Sequence, residues 1–170
     1  MSVLKIRKYG DEILREKAEE VKDINGELVD LARAMVETMY QAPGIGLAAP
    51  QVGESLRLIT VDLSLGENPG ELIIMINPRI VEKEGSVVDE EGCLSIPGFY
   101  EKVKRPKRVL VKGYDLNGKE IEIEAEDLLA RVLCHEVDHL EGRLFIDLLS
   151  PLKRSFIKRE IKKKMKAGEW

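Results

Sequence analysis

The sequence predicts an α+β fold, with short antiparallel strands and hairpins packed around a central helix and one further helix on either side of them in the chain. Three observations carry this. Amphipathic helical spacing appears in two separated segments, an Asn-Gly hairpin with strict alternation sits between them, and a proline-capped basic helix follows.

Taken in order, the first helix starts at Asn25, a side chain able to cap free N–H groups. Leu28, Leu31, Met35 and Met39 then recur at helical spacing, and Ala42-Pro43-Gly44 ends the run. Leu56 to Leu63 is rich in β-formers. Leu72–Met75 and Ile80–Val81 read as two short strands parted by a break at Asn77-Pro78. Arg108–Tyr114 and Lys119–Ala125 flank Asn117-Gly118, with Ile121 and Ile123 alternating with glutamates, which predicts a hairpin with one wet face. The central helix runs from about Glu126 to Glu141; Leu129, Val132, Leu133, Val137 and Leu140 form its buried side and Gly142 stops it. A last helix begins at Ser150-Pro151 and continues to about Lys166, with Leu152, Phe156, Ile161 and Met165 as its packing residues.

The chain has 170 residues, 44% of them hydrophobic, with 27 Lys and Arg against 31 Asp and Glu. That is enough for one core and excludes a disordered or low-complexity chain. Lys5, Arg7, Lys8, Asp11, Glu12 and Arg15 leave no apolar stretch for a secretory signal. The uncharged run from Thr38 to Gly53 contains Pro43, Pro50 and three glycines, so it does not make a membrane span. The expectation is a cytoplasmic protein without a membrane partner. Cys93 and Cys134 are too few for a disulfide framework, which leaves a buried thiol, a ligand or a nucleophile.

Chemistry concentrates on the central helix, in His135-Glu136-Val137-Asp138-His139. Histidines four apart project from one helix face and can share one metal ion, with Glu136 beside the open coordination position to handle a proton. These are the only two histidines in the chain. A third donor is needed. Glu141 and Asp147 are candidates, as is Cys93 in Glu90-Glu91-Gly92-Cys93-Leu94-Ser95, although a lone cysteine is more often a small buried hydrophobe. Cys134 adjoins His135 but points about 100° away around the helix, so it is read as core. Pro43 to Gly53 is a further unusual segment. Its glycines admit close backbone approach, its backbone could pair with an extended peptide, and Gln51 adds an amide.

Gly44-Ile-Gly-Leu-Ala-Ala-Pro-Gln51, Glu91-Gly-Cys-Leu-Ser95 and His135-Glu-Val-Asp-His139, in this order and at these separations, resemble the three signatures of bacterial peptide deformylases. Each is modest alone; the ordered triple is specific, and the likeness extends through Ser150-Pro151-Leu152. It implies hydrolysis of the formyl group from the N-terminal formylmethionine of new polypeptides, with release of formate. By position it implies Cys93, His135 and His139 as metal ligands. The ion it implies is ferrous in the cell, with Zn(II), Ni(II) or Co(II) able to take the site. Cys134 departs from the glutamine of the best-known members, at a position that is not a ligand.

In that frame Glu136 is the proton carrier, and Gln51 and, by resemblance, the Leu94 N–H stabilise the charge that develops on the formyl oxygen. Gly44, Ile45, Gly46 and the segment after Pro97 would receive the peptide, with Ile45, Leu128 and Val132 as walls of the methionine pocket. Residues 1–149 are expected to form the catalytic metallohydrolase domain, with the basic helix of 150–170 packed on it. That last segment carries a net charge of +6, leaving −10 on the rest of the chain. Its basic face suggests docking to the ribosome, where formylmethionyl nascent peptides emerge. Two other readings remain: a zinc endopeptidase with a carboxylate in place of Cys93, and a structural metal site with four protein ligands.

Overall fold

The computed structural model describes residues 3–170. Helix α1 spans Gly26–Gln41, and the side chain of Asn25 accepts from Leu28 N as its cap. Seven strands follow: β1 (Gly46–Ala48), β2 (Leu58–Val61), β3 (Ile73–Glu84), β4 (Val87–Cys93), β5 (Ile96–Arg105), β6 (Arg108–Tyr114) and β7 (Glu120–Glu126). Helix α2 is Asp127–Leu140 and helix α3 is Pro151–Lys166. These seven strands pair antiparallel, in a five-stranded sheet ordered β1-β2-β3-β6-β7 and a separate β4-β5 hairpin.

The α2 helix packs on the large sheet through Ala130, Leu133 and Leu140 against Val61, Met75 and Val111. A second apolar cluster joins Ile96 and Val103 of β5 to Phe145 and to Ile157 and Ile161 of α3. A third packs Met35 and Met39 of α1 on Leu47 and Leu58. The α2 helix therefore has the sheet on one side and the hairpin near another, while β1 is an edge strand. Strand β7 passes directly into α2, and Asp127 takes the turn in a left-handed conformation (φ 53°) with its N–H donating to the Lys107 carbonyl. None of the described helices is long and apolar enough to cross a membrane.

The fold differs from the sequence reading at three places. The expected break at Asn77-Pro78 lies inside the continuous strand β3, where the register shifts between Ile76 and Arg79. Asn77 adopts φ 51°, and its amide is tied to the backbone of Val21 by two bonds of 2.9 Å. An asparagine that tolerates the left-handed region makes a bulge there instead of a strand end. The β4-β5 hairpin, with its long β5, went unpredicted because its charged residues hide any apolar alternation. On α3 the buried residues are Ile157 and Ile161, whereas Leu152, Phe156 and Met165 are exposed. Only a narrow stripe of this peripheral helix touches the second cluster, and Phe156 sits about 100° around the helix from Ile157.

Candidate metal centre and substrate cleft

The i,i+4 spacing on α2 sets both imidazoles on one face, with ring centroids 4.9 Å apart and Nε2 atoms 3.3 Å apart. The β4-β5 turn brings Cys93 Sγ to 3.4 Å from His139 Nε2. The three donor atoms all lie within 4.8 Å of one another. A tetrahedral ion with Zn–N and Zn–S bonds of about 2.0 and 2.3 Å would hold its ligand atoms about 3.3–3.6 Å apart, so the cluster fits one cation. Among the described residues, no other trio of histidine, cysteine or acidic side chains converges this way. Cys134 is buried in the α2-sheet core, where burial pushes its thiol pKa up.

The surroundings push the two imidazoles in opposite directions. Burial opposes protonation of His135, but the Glu136 charge and bonds to Cys93 and Glu91 raise its pKa well above the ordinary value. Burial, with the neighbouring His135 charge, depresses His139 well below it. His135 Nδ1 lies 2.6 Å from Glu91 Oε2, which fixes the ring and leaves Nε2 to face the other donors. Glu91 is itself held by Arg105, at 2.6 and 3.0 Å, and by Arg131 at 3.1 Å; Arg105 also reaches Asp138. Burial would raise the Glu91 pKa, yet the bonds from His135 and Arg105 prevail and lower it to about 2.

Glu136 is buried next to the cluster, and its Oε1 has no hydrogen-bond partner. Burial raises its pKa to about 7, partly countered by the charge of His135. Gly46 lies against it: a Cβ there would come within 2.5 Å of Glu136 Oε2 and 2.9 Å of Val132. The Gln51 amide is oriented from both ends. Its oxygen accepts from Ala48 N at 2.9 Å, while Nε2 donates to Ser95 Oγ at 3.1 Å and approaches Cys93 Sγ at 3.7 Å.

A cleft of about 720 Å³ opens over these groups. Gly44, Ile45, Gly46 and Gln51 line it from the β1 side, Cys93 and Leu94 from the hairpin, and Leu128, Val132, His135 and Glu136 from α2. Ten of the eleven candidate residues thus share one cleft, and the eleventh, His139, is buried in contact with Cys93 and His135. Leu94 packs beside Gly44, where a Cβ would sit 2.7 Å from its side chain. Leu128 is half exposed. The other candidate donors are occupied elsewhere: Glu141 pairs with Arg57 and Asp147 with Arg15.

The sequence profile of the polypeptide deformylase family matches residues 3–155. The chain belongs to this family. It is 57% identical to the peptide deformylase of Thermodesulfovibrio yellowstonii over 164 residues, 96% of this chain and 99% of the relative. It is 54% identical to that of Syntrophobacter fumaroxidans, over 98% of each chain. The crystal structure of a peptide deformylase from Legionella pneumophila superposes with a TM-score of 0.92 at 45% identity, covering 98% of both chains. That of Ehrlichia chaffeensis in complex with actinonin gives 0.88 at 39% identity, covering 96% of this chain and 98% of the other. As a deformylase the protein is a metal-dependent hydrolase that removes the N-formyl group from nascent polypeptides, and the endopeptidase reading is not favoured.

The charge network of Glu91, Arg105 and Arg131 behind the candidate metal cluster was missed. Glu91 stood in the quoted motif as an ordinary acid. Arg105 was hidden in the basic run Lys102–Lys107, although it shares a strand face with buried Val103 two residues earlier.

Proposed function

We propose that Cys93, His135 and His139 hold the catalytic ion of this deformylase and that Glu136 moves the protons. The observation that carries this is the convergence of the three donor atoms next to an unpartnered buried carboxylate oxygen at the floor of the cleft. A divalent ion bound there supplies Lewis acidity, which activates water at neutral pH and stabilises charge on the formyl oxygen. Glu136, with its pKa near neutrality, takes a proton from the attacking water and delivers it to the leaving amine. The Gln51 amide, held by Ala48 and Ser95, and the Leu94 N–H donate to the oxygen as it gains charge; one such donor is worth about 3 kcal/mol. Gly44, Ile45 and Gly46 receive the peptide backbone at the β1 edge, and Ile45, Leu128 and Val132 take the methionine side chain.

The deciding experiment is formate release from formyl-Met-Ala-Ser together with metal analysis, comparing wild type with Glu136→Ala. Metal retained with turnover abolished is the expected result; retained turnover would remove Glu136 from this role.

The thiolate ligand suits a soft or borderline ion, and Fe(II) is proposed as the cellular metal, with Zn(II), Ni(II) or Co(II) able to replace it. The ferrous protein is expected to lose activity in air through oxidation of the ion or Cys93, and aerobic and anaerobic preparations of equal metal content that stayed equally active would count against this. Residues 1–149 are proposed as the catalytic domain, carrying the 150–170 helix, and the protein as cytoplasmic. Docking of α3 to the ribosome is proposed from its basic face, where Arg154, Lys158, Arg159 and Lys162 line a shallow groove. Ribosome binding that neither added salt nor deletion of 153–170 weakens would reject it.

A further inference from the structure

Trp170, the only tryptophan of the chain, is fastened to residues far from it in sequence. Its indole Nε1 donates to the Tyr9 carbonyl at 2.8 Å, and its backbone oxygen accepts from Lys8 Nζ at 3.1 Å. Its ring meets that of Phe99 with centroids 6.3 Å apart and planes inclined at 59°, an arrangement attractive beyond the area it buries. The turn that ends α3 aims the ring there. Gly168 is left-handed (φ 72°), with Glu169 N donating to the Lys164 carbonyl at 2.8 Å and Gly168 N to the Met165 carbonyl at 3.2 Å. These paired bonds fold a chain back across a helix end.

The residues that Trp170 grips belong to a strap that joins the Gln51 segment to the β4-β5 turn. Arg7 N donates to the Gln51 carbonyl at 2.7 Å, and Tyr9 N to the Ser95 carbonyl at 2.9 Å. Gln51 and Ser95 are themselves joined, Nε2 to Oγ, at 3.1 Å. The strap therefore fixes the spacing between the segment that carries the Gln51 amide and the one that carries Cys93 and Leu94. Just beyond it, α3 makes a second contact: a Cβ on Gly10 would come within 2.7 Å of Met165 Cε.

Packing alone accounts for a ring beside Phe99, but the indole bond goes to the backbone of the strap, at the residue whose N–H holds Ser95. A donor such as the Gln51 amide works only where the charge develops, and a displacement of about 1 Å at a reacting centre costs about 100-fold in rate. We propose that Trp170 is a positioning residue for deformylation, which clasps the Arg7–Tyr9 strap and through it holds Gln51 at its working distance from the Leu94–Ser95 turn. The far end of α3 thereby acts on the rate of a reaction it does not touch. This rests on the deformylase reading and on the role of Gln51 within it.

The test measures kcat and KM for formate release from formyl-Met-Ala-Ser, with thermal unfolding alongside. It compares wild type, Trp170→Ala, Trp170→Phe, Gln51→Ala and the double variant of Trp170→Ala with Gln51→Ala, all at equal metal content. Trp170→Ala is expected to lower kcat about tenfold with KM within about twofold of wild type, since a donor to developing charge acts on the transition state. Trp170→Phe keeps a ring but loses the N–H, and its kcat should lie below that of wild type. In the Gln51→Ala background the loss caused by Trp170→Ala should shrink to less than about twofold, because the two residues act as a unit. An unchanged kcat in Trp170→Ala, whatever its melting temperature, a change confined to KM, full activity in Trp170→Phe, or an undiminished loss in the Gln51→Ala background would each overturn the proposal. Should Gln51→Ala fail to fold, the split between kcat and KM in Trp170→Ala decides alone. Wild type that releases no formate, or Gln51→Ala as active as wild type, would instead sink the reading of the site on which the proposal rests.

Discussion

Glu91 Oε2 lies 2.6 Å from His135 Nδ1, and the same carboxylate is gripped by Arg105 and Arg131, so the orientation of a candidate metal ligand is set by a charge network behind it. Replacing Glu91 by glutamine keeps an acceptor but removes the charge. The expected result is a loss of metal affinity of about 10- to 100-fold, read by competition with a chelator.

The same network sets an acid limit. The Glu91 pKa is lowered to about 2 in the fold, against an ordinary value of 4.5. A depressed carboxylate pKa gives stability that is complete above the unfolded value and drains away as pH falls toward the folded one. Up to about 3 kcal/mol should be lost between about pH 4.5 and pH 2. Urea midpoints of the metal-free protein should fall over that window, and the wild-type advantage over Glu91→Gln should shrink with them.

Gly46→Ala tests the approach of β1 to α2. The added methyl would press on Glu136 and Val132 at 2.5 and 2.9 Å. Turnover is expected to drop by about 100-fold or more, because a displacement of about 1 Å at a reacting group costs that much. Thermal unfolding should show a smaller penalty, of about 1–3 kcal/mol.

Cys93→Ser should lose both bound metal and formate release. A variant retaining both would return the choice of third ligand to a carboxylate, against the pairing of Glu141 with Arg57 and of Asp147 with Arg15.

Asn77→Ala should destabilise the fold without altering the metal site. It removes two buried-side bonds to Val21 and places a Cβ residue at φ 51° without the side-chain compensation of asparagine. About 2 kcal/mol is expected in denaturant unfolding, and Asn77→Gly should recover only the backbone part.

The helices, the β6-β7 hairpin and the pairing of His135 with His139 could be read from the chain because each rests on local signals. Asn25 and Ser150 are caps, Asn117-Gly118 is a turn, and His135 and His139 are fixed relative to each other by helical pitch alone. Cys93 could be proposed but not placed by such signals, since its approach to His139 depends on the β4-β5 turn folding back over α2. Arg105 was illegible for the same reason: a charged residue among charged neighbours becomes interior only when Glu91 and Asp138 arrive from other elements. Pro78 misled because proline usually ends a strand, whereas here a bulge absorbs it.

Strand β7 hands over to α2 without a connecting loop, so the register of the β6-β7 hairpin is also the rotational setting of the helix. One residue inserted within α2 between Asp127 and Leu133 would swing His135 and His139 together by about 100° and carry them off their target. Among natural variants, that stretch should keep a constant length, while the exposed tips around Asn117 and Glu67 are free to grow or shrink.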